Sequence, residues 1–234
     1  MRRTFLEHWE ELSKKLRVCF LLWFVVFLIF LYFSNKIISI SLIFLPKNWQ
    51  IIVVEPLEVL IVQLYLSAVL SFIAILPIFL YSIYSFAKPG LLKGELKIVR
   101  RILLLFLIFF FLGIMFSIFL FIPLTFKIME WLTGGIKAKP LISLRKYFEF
   151  TVFSTLLIGL LFNFPLFLLS LSRLGLISSK DLERKRSIVF LVLLIIASII
   201  TPDPTPLTTL ILMAPIWVLY EVSILLMKRK FIFS

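Results

Sequence analysis

The chain has 234 residues, of which 62% are hydrophobic and 16% aromatic, and its mean hydropathy is +1.14. An average soluble domain is only about 45–50% apolar, so this composition excludes an ordinary water-soluble fold and indicates an integral membrane protein. The net charge of +13 does not point to nucleic acid, because the basic residues lie between long apolar runs. One cysteine, Cys19, and one histidine, His8, exclude a disulfide framework and a histidine-rich metal or haem site.

The segment before the first apolar run has two interpretations. Arg2 and Arg3 followed by an apolar stretch are typical of an export signal, but an acidic, amphipathic stretch intervenes and no small-residue cleavage site follows. Thr4 and Glu7 instead have the spacing of a capping box. We therefore predict a short cytoplasmic helix that begins near Phe5 and leads into the first span.

Six apolar segments predict an all-α integral membrane protein with six transmembrane helices in a single membrane domain over residues 1–234. The predicted spans are 18–38, 59–87, 102–126, 148–172, 187–202 and 207–227. A helix needs about 20 residues to cross a hydrocarbon core of about 30 Å, whereas the fifth run has only thirteen residues from Ile188 to Ile200 before a proline-rich turn. We expect the fifth and sixth helices to be short and to thin the bilayer locally or end below its surface.

Prolines inside three of the runs indicate bent helices. Pro77, Pro165 and Pro215 each remove a backbone donor from their helix, which kinks it. The spans should therefore form a curved, cup-shaped wall instead of a set of straight rods.

The distribution of Lys and Arg predicts the orientation of the spans. Alternate loops, with both termini in the same set, carry 18 basic residues against 7 in the other set. An excess of basic residues marks the cytoplasmic side, so both termini and the loops 88–101 and 173–187 should face the cytoplasm. The outer segment from Lys127 to Lys146 carries five basic residues and weakens this asymmetry.

The polar residues do not form a recognisable catalytic set. Proteases that act inside membranes need a serine with a histidine base or a His-Glu-x-x-His zinc motif, and the sequence has neither. We expect no enzymatic activity and no cofactor. Among the carboxylates only Glu221 is clearly within an apolar run, and it should find a partner there because an unpaired charge in the membrane is costly. Asn163 should either join two helices by a hydrogen bond or make a functional contact.

Two functions of other classes are also compatible with six spans. A small secondary transporter would need a midplane substrate site, commonly built from broken helices in two related halves, but the sequence shows no internal repeat and almost no midplane charge. A membrane chaperone or scaffold is harder to separate from a receptor on sequence alone.

Several local motifs occur together and in order along the spans. They are Phe5-Leu-Glu-His-Trp-Glu-Glu-Leu-Ser-Lys-Lys-Leu16, Glu55-Pro56, Phe86-Ala-Lys-Pro-Gly-Leu-Leu-Lys-Gly-Glu-Leu-Lys97, Phe162-Asn-Phe-Pro165, and Thr201-Pro-Asp203 with Pro215 and Tyr220-Glu221. This pattern resembles the TatC subunits of the twin-arginine protein translocase over nearly the whole chain.

The resemblance implies a receptor. TatC subunits bind the paired arginines of signal peptides at the cytoplasmic face of the inner membrane. They assemble with single-span TatA and TatB types of partner, as several copies, and export folded proteins using the proton gradient. A carboxylate can accept the planar fork of a guanidinium bidentately, which agrees with this role.

The resemblance also assigns candidate site residues. Those expected to bind the signal peptide are Glu11, Glu95, Lys97, Phe86 and His8. Those expected at a partner or deep site are Asn163, Pro165, Thr209, Glu221, Asp203 and Pro46. For His8 an interfacial side chain is the simpler interpretation, and for Glu95 the alternative is an ion pair with a basic residue of its own loop.

This chain departs from the family at three of its polar positions. Ser13 replaces an arginine, Asn163 replaces a glutamate in the fourth span, and Thr209 replaces a glutamine that begins the sixth. An asparagine can still form hydrogen bonds, but it cannot attract a cation as a glutamate does.

Overall fold

The structure is a computed structural model that describes residues 5–133, 140–200 and 206–228, without the side chains of residues 5–12, 93 and 133. The described residues form ten α-helices: α1 (Phe5–Tyr32), α2 (Ser34–Ser41), α3 (Glu58–Ala87), α4 (Lys93–Phe116), α5 (Ile122–Thr133), α6 (Leu144–Leu161), α7 (Phe164–Arg173), α8 (Ser179–Arg184), α9 (Arg186–Ile200) and α10 (Pro206–Lys228). A π-helical turn, Ser117–Phe121, joins α4 to α5. Two short strands, β1 (Gln50–Ile52) and β2 (Leu141–Ser143), pair in parallel.

The helices have the length and composition of a membrane protein. Among the described residues, five helical segments are long and apolar enough to cross a membrane: Ser13–Tyr32, Glu58–Gly90, Gly94–Leu132, Leu144–Arg173 and Pro206–Lys228. The remaining predicted span corresponds to α9, which has 15 residues and a length of about 22 Å at 1.5 Å per residue. The predicted all-α membrane fold is confirmed, and α9, the fifth membrane helix, is the shortest of the six. The sixth helix is not short as expected, because α10 has 23 residues, about 34 Å, and is long enough to cross a membrane.

Most helix ends extend beyond the predicted spans into polar sequence. The third span begins at Lys93 and runs through the π-helical turn to Thr133. The first predicted span, 18–38, is divided, because α1 ends at Tyr32 and α2 starts anew at Ser34. At this junction the carbonyl of Phe33 accepts hydrogen bonds from the amides of both Lys36 and Ile37.

One compact unit comprises residues 1–43 and 53–104. In it α1 lies antiparallel to α3, since Lys15 Nζ donates to Ser85 Oγ at 3.1 Å and Cys19 Sγ to Ser82 Oγ at 3.2 Å. The start of α3 is held by Glu58, which is 2% exposed and accepts the amide of Val54 at 2.6 Å. A helix start leaves amides without intrahelical partners, so this carboxylate stabilises the chain entering α3.

The second unit comprises residues 44–52 and 105–234. Its apolar core includes Phe126 and Tyr147, whose ring centroids are 5.3 Å apart, and Trp49, which packs edge-on against Phe126 at 5.8 Å. A second cluster joins α7, α8 and α10 around Leu168, Leu182 and Tyr220. Polar side chains also cross this unit, since the hydroxyls of Ser117 and Thr155 lie 3.1 Å apart.

The fourth span is interrupted at the position that Pro165 predicts. Helix α6 ends at Leu161 and α7 begins at Phe164, with Pro165 in its first turn. Proline has no amide hydrogen and is tolerated in a first turn, where that hydrogen would have no partner. Pro77 and Pro215, in contrast, lie inside α3 and α10, which continue through them.

The segment after α7 stops one helix and starts the next. Gly175 has a positive φ of 73°, its amide donates to Ser172 O, and the amide of Leu176 donates to Leu171 O, as in a Schellman motif. Ser178 and Asp181 then form a capping box at the start of α8. The chain can therefore reverse direction here within a few residues.

Candidate functional site

Glu95 lies on the surface of the first unit, in the first turn of α4. Its side chain is exposed, and Oε2 accepts the amide of Leu92 at 2.8 Å. This bond holds the carboxylate at a helix start, where the free amides favour a negative group. A carboxylate has about four acceptor sites, so it can still accept a forked donor while it caps the helix.

The other predicted residues of this region, Lys97 and Phe86, lie two and nine residues from Glu95 in the sequence. Lys97 is exposed and Phe86, in the last turn of α3, is half-buried. Among the side chains described here, Lys97, Arg100 and Arg101 form no ion pair with Glu95. For these three residues the alternative of an intraloop ion pair is therefore not found.

The side chains of three predicted site residues are not among those that the structure describes. Glu11 and His8 lie on the backbone of α1, but their side chains are not among the described ones. Asp203 lies outside the described residues, between α9 and α10. The grouping of Glu11 with Glu95 stays a prediction.

Asn163 is buried at the break of the fourth span, with 8% of its surface exposed. Its Nδ2 donates to the carbonyl of Gly159 at 3.0 Å, and this bond is local to its own span. Its Oδ1 is buried and has no hydrogen-bond partner among the described residues. A buried acceptor without a donor is costly, so this oxygen is suited to accept a hydrogen bond from a group beyond the described residues.

The carbonyl that holds Asn163 lies at a close crossing of α4 and α6. A Cβ atom built on Gly113 would lie 2.8 Å from Gly159 Cα and 2.8 Å from Ile158 O, so only glycine fits. Pro165 follows two residues after Asn163 and is itself buried. The close crossing and the proline together fix the position of the Asn163 amide.

Glu221 has the partner that its place in an apolar run requires. Its Oε2 accepts Arg186 Nη2 at 2.8 Å, which links α10 to the first residue of α9. Lys228 forms a second ion pair with Glu183 of α8 at 2.5 Å. The buried Tyr220 hydroxyl donates to Leu182 O at 2.7 Å and so joins α10 to α8 as well. In this structure Glu221 fastens the last two helices together.

The remaining predicted residues lie apart from Glu221. Thr209 is buried near the start of α10 with 5% of its surface exposed, twelve residues or about 18 Å along the helix from Glu221. Pro46 is half-buried before β1, and its carbonyl accepts the amide of Trp49. The structure thus distributes the predicted deep-site residues along α7, α10 and the β1 segment.

Two carboxyl groups of α8 have lowered pKa values. The Ser178 hydroxyl, followed by its amide, donates to Asp181 and holds the pKa of that carboxyl below 3.8. The hydrogen bond from Lys228 lowers the pKa of Glu183 below 4.5. Both groups remain charged at neutral pH and stabilise α8.

The comparisons with known proteins agree with the fold and with the sequence motifs. The profile of the family described as "Sec-independent protein translocase protein (TatC)" matches residues 7–215. The chain is 30% identical to the protein translocase protein TatCy of Bacillus subtilis over 233 residues, which cover 97% of this chain and 90% of that protein. It is also 30% identical to TatC of Listeria innocua, over 93% of this chain and 88% of the relative.

A solved structure matches just as broadly. A crystal structure of the twin-arginine translocase receptor TatC in DDM aligns with a TM-score of 0.75 and 27% identity, covering 94% of this chain and 99% of that one. The chain belongs to the TatC family. It is accordingly a membrane component of the Sec-independent protein translocase, and the resemblance in its sequence is confirmed.

Two features of this TatC chain were missed by the sequence reasoning. The first is the crossing at Gly113 and Gly159. The sequence indicates it only weakly, because a glycine inside an apolar run does not reveal which helix approaches it. Arg186 lies in the predicted basic loop 173–187, and its pairing with Glu221 was not expected. A basic residue at the start of the shortest apolar run could have suggested that partner.

Proposed function

We propose that this TatC chain is the signal-peptide receptor of the twin-arginine translocase, with Glu95 as an acceptor for the paired arginines and Glu11 as the second carboxylate. It is not an enzyme; it assembles with TatA and TatB types of single-span partner and serves the export of folded proteins driven by the proton gradient. The chain lies in the inner membrane, with both termini and the loop 88–101 facing the cytoplasm.

The observation that carries this proposal is the state of Glu95. Its carboxylate is exposed, held by the Leu92 amide, and not paired with the described basic residues nearby. A guanidinium offers two parallel donors that match the two carboxylate oxygens, whereas an ammonium offers a point charge. The site should therefore favour arginine over lysine. The role of Glu11 rests on the family resemblance.

Binding of a labelled twin-arginine peptide to the purified protein in lipid nanodiscs tests the receptor role. Glu95→Gln removes the charge and keeps the shape, so we expect about fivefold weaker binding, as for an exposed ion pair worth about 1 kcal/mol. Glu130→Gln is the matched control, because Glu130 accepts Asn48 Nδ2 at 2.9 Å in the other unit and glutamine can keep that bond. Equal effects of the two variants, or equal binding of a twin-lysine peptide, would defeat the assignment.

The second part of the proposal concerns Asn163. Its Oδ1 is buried and lacks a donor among the described residues, so it suits a polar side chain from a partner span or an inserted signal peptide. Asn163→Leu should reduce assembly with the single-span partners or deep insertion of the signal peptide while the protein stays folded. Co-purification of the partners and export of a folded reporter measure this, and normal export by the variant would reject the role.

The orientation has a separate test. A reporter or an accessible label placed at Gly94, which is exposed and has open space around its Cα, should mark the cytoplasmic side. Labelling from the outer side of intact cells would overturn the predicted orientation.

A further inference from the structure

An apolar groove runs between α1 and α3 in the first unit. Its walls are two helical stripes, Leu16, Cys19, Phe20 and Trp23 on α1 and Phe72, Ile75 and Phe79 on α3. These spacings of three, four and seven residues place each set on one face of its helix. The groove has a volume of about 450 Å³.

The groove has a closed floor and an open rim. Cys19 and Ile75 are each 5% exposed and form the floor, while Phe20 and Phe72 are 62% and 50% exposed at the rim. The first span around it is the least covered of the five membrane-length helices. Because a space between membrane helices is filled by lipid or by protein, the groove has an occupant in the bilayer.

The dimensions of the groove favour a lipid chain over a helix. The α1 stripe from Leu16 to Trp23 is about 10 Å long, so the volume corresponds to a mean cross-section of about 45 Å². A helix with side chains is about 10–12 Å across and needs about 80–110 Å². An acyl chain is flexible and thinner, and it can lie in a groove of this width.

One end of the groove is polar and carries two basic residues. Lys15 precedes Leu16, is half-buried, and donates to Ser85 Oγ at 3.1 Å across the two helices. Arg17 follows Leu16 and is exposed, with its Nε directed to the carbonyl of Ser13 at 3.3 Å. No carboxylate among the described side chains forms an ion pair with Arg17. Lysine and arginine at the end of an apolar groove complement an anionic headgroup.

We propose that the α1/α3 groove binds one anionic phospholipid, with an acyl chain along the apolar stripes and its phosphate at Lys15 and Arg17. This goes beyond the receptor function, since it involves neither Glu95 nor Asn163. The bound lipid fills the space between α1 and α3 and supports the helix that carries the amino-terminal motif.

Trp23 in the groove wall reports on the occupant directly. Single-tryptophan protein that keeps only Trp23 is placed in phosphatidylcholine nanodiscs with a small fraction of brominated phosphatidylglycerol or brominated phosphatidylcholine, both with the same chains. We expect the anionic lipid to quench Trp23 at about five- to 25-fold lower mole fraction, since each basic residue near an anionic lipid contributes about fivefold. A protein that keeps only Trp217, which packs on Tyr220 at 5.2 Å outside the groove, should show no such preference.

Charge variants identify the headgroup site. Lys15→Gln and Arg17→Gln should each reduce the preference about fivefold. Lys14→Gln is the matched control, because Lys14 lies about 160° around the helix from Leu16 and should leave the preference unchanged. Retention of phosphatidylglycerol by the protein with all its tryptophans, measured by native mass spectrometry, repeats the comparison without tryptophan replacements.

Three results would overturn the proposal. Equal quenching by the two brominated lipids would mean ordinary contact with the bilayer. Absence of quenching by either would mean that protein fills the groove. An effect of Lys14→Gln as large as that of Lys15→Gln would mean attraction by the general surface charge.

Discussion

The close crossing of α4 and α6 gives the sharpest stability prediction. A methyl group added in Gly113→Ala would lie 2.8 Å from Gly159 Cα, 2.8 Å from Ile158 O and 2.9 Å from Phe162 Cβ. Two of these three atoms belong to the backbone, so the helices must separate. Overpacking of this kind costs about 1–3 kcal/mol, partly offset by the gain of up to about 1 kcal/mol from replacing glycine in a helix. We expect a net loss of about 1–2 kcal/mol.

Two other glycines provide graded controls in the same assay. In Gly159→Ala the added methyl meets the Phe110 ring at 3.0 Å and the Ile114 side chain at 3.3 Å, and these side chains can adjust, so the loss should be smaller. Gly94→Ala meets nothing within 4 Å at the start of α4 and should be neutral or slightly stabilising.

Thermal unfolding in detergent, followed by intrinsic fluorescence, should give melting temperatures in the order Gly94→Ala at or above the unmodified protein, then Gly159→Ala, then Gly113→Ala. The last variant should melt about 2–8 °C below the unmodified protein. A Gly113→Ala variant as stable as Gly159→Ala would refute the backbone contact.

Three further predictions concern α8 and α10. Tyr220→Phe removes the hydroxyl bond to the buried carbonyl of Leu182, which still accepts the amide of Lys185, and should lower the free energy of unfolding by about 1 kcal/mol. Glu221→Gln in a half-exposed ion pair should cost less; denaturant unfolding in mixed micelles measures both, and the reverse order would contradict the structure. The pKa of Asp181 is lowered in the folded protein, so the stability that this carboxylate gives α8 is complete above pH 3.8 and is lost as the pH falls through the lower folded value. Hydrogen exchange of the α8 amides from about pH 6 to about pH 2 should show this loss of protection. In Asp181→Asn this pH dependence should be absent. Ser178→Ala should raise the pKa of Asp181 toward 3.8 in a carboxyl-carbon NMR titration, and an unchanged pKa would show that the hydroxyl is not its cause.

The apolar runs predicted the helices well because, within the membrane, the backbone N–H and C=O groups of each span must form hydrogen bonds with one another, which favours a helix. Pro165 also predicted the interruption of the fourth span, since its missing amide hydrogen is compatible with a helix start at Phe164. The sequence did not reveal the pairing of β1 with β2, because three-residue strands whose partners are 91 positions apart have no periodicity to detect.

The site was predictable in part for the same reasons. The requirement that Glu221 has a partner follows from the cost of a charge in an apolar run, but the identity of Arg186 depends on how α9 and α10 pack. Likewise, the sequence indicates that Asn163 is polar and within a span. Only packing shows that Nδ2 is satisfied by Gly159 and that Oδ1 is not.

The contact of α4 with α6 has a mechanical consequence. At Gly113 and Gly159 the two helices are in contact through main-chain atoms, so no flexible side chain lies between the two backbones there. A displacement of either helix at this point therefore requires a displacement of the other. The carbonyl of Gly159 also accepts the side-chain amide of Asn163, one turn further along the chain, so Asn163 moves with this contact. The two glycines thus form a rigid contact point next to the interruption of the fourth span.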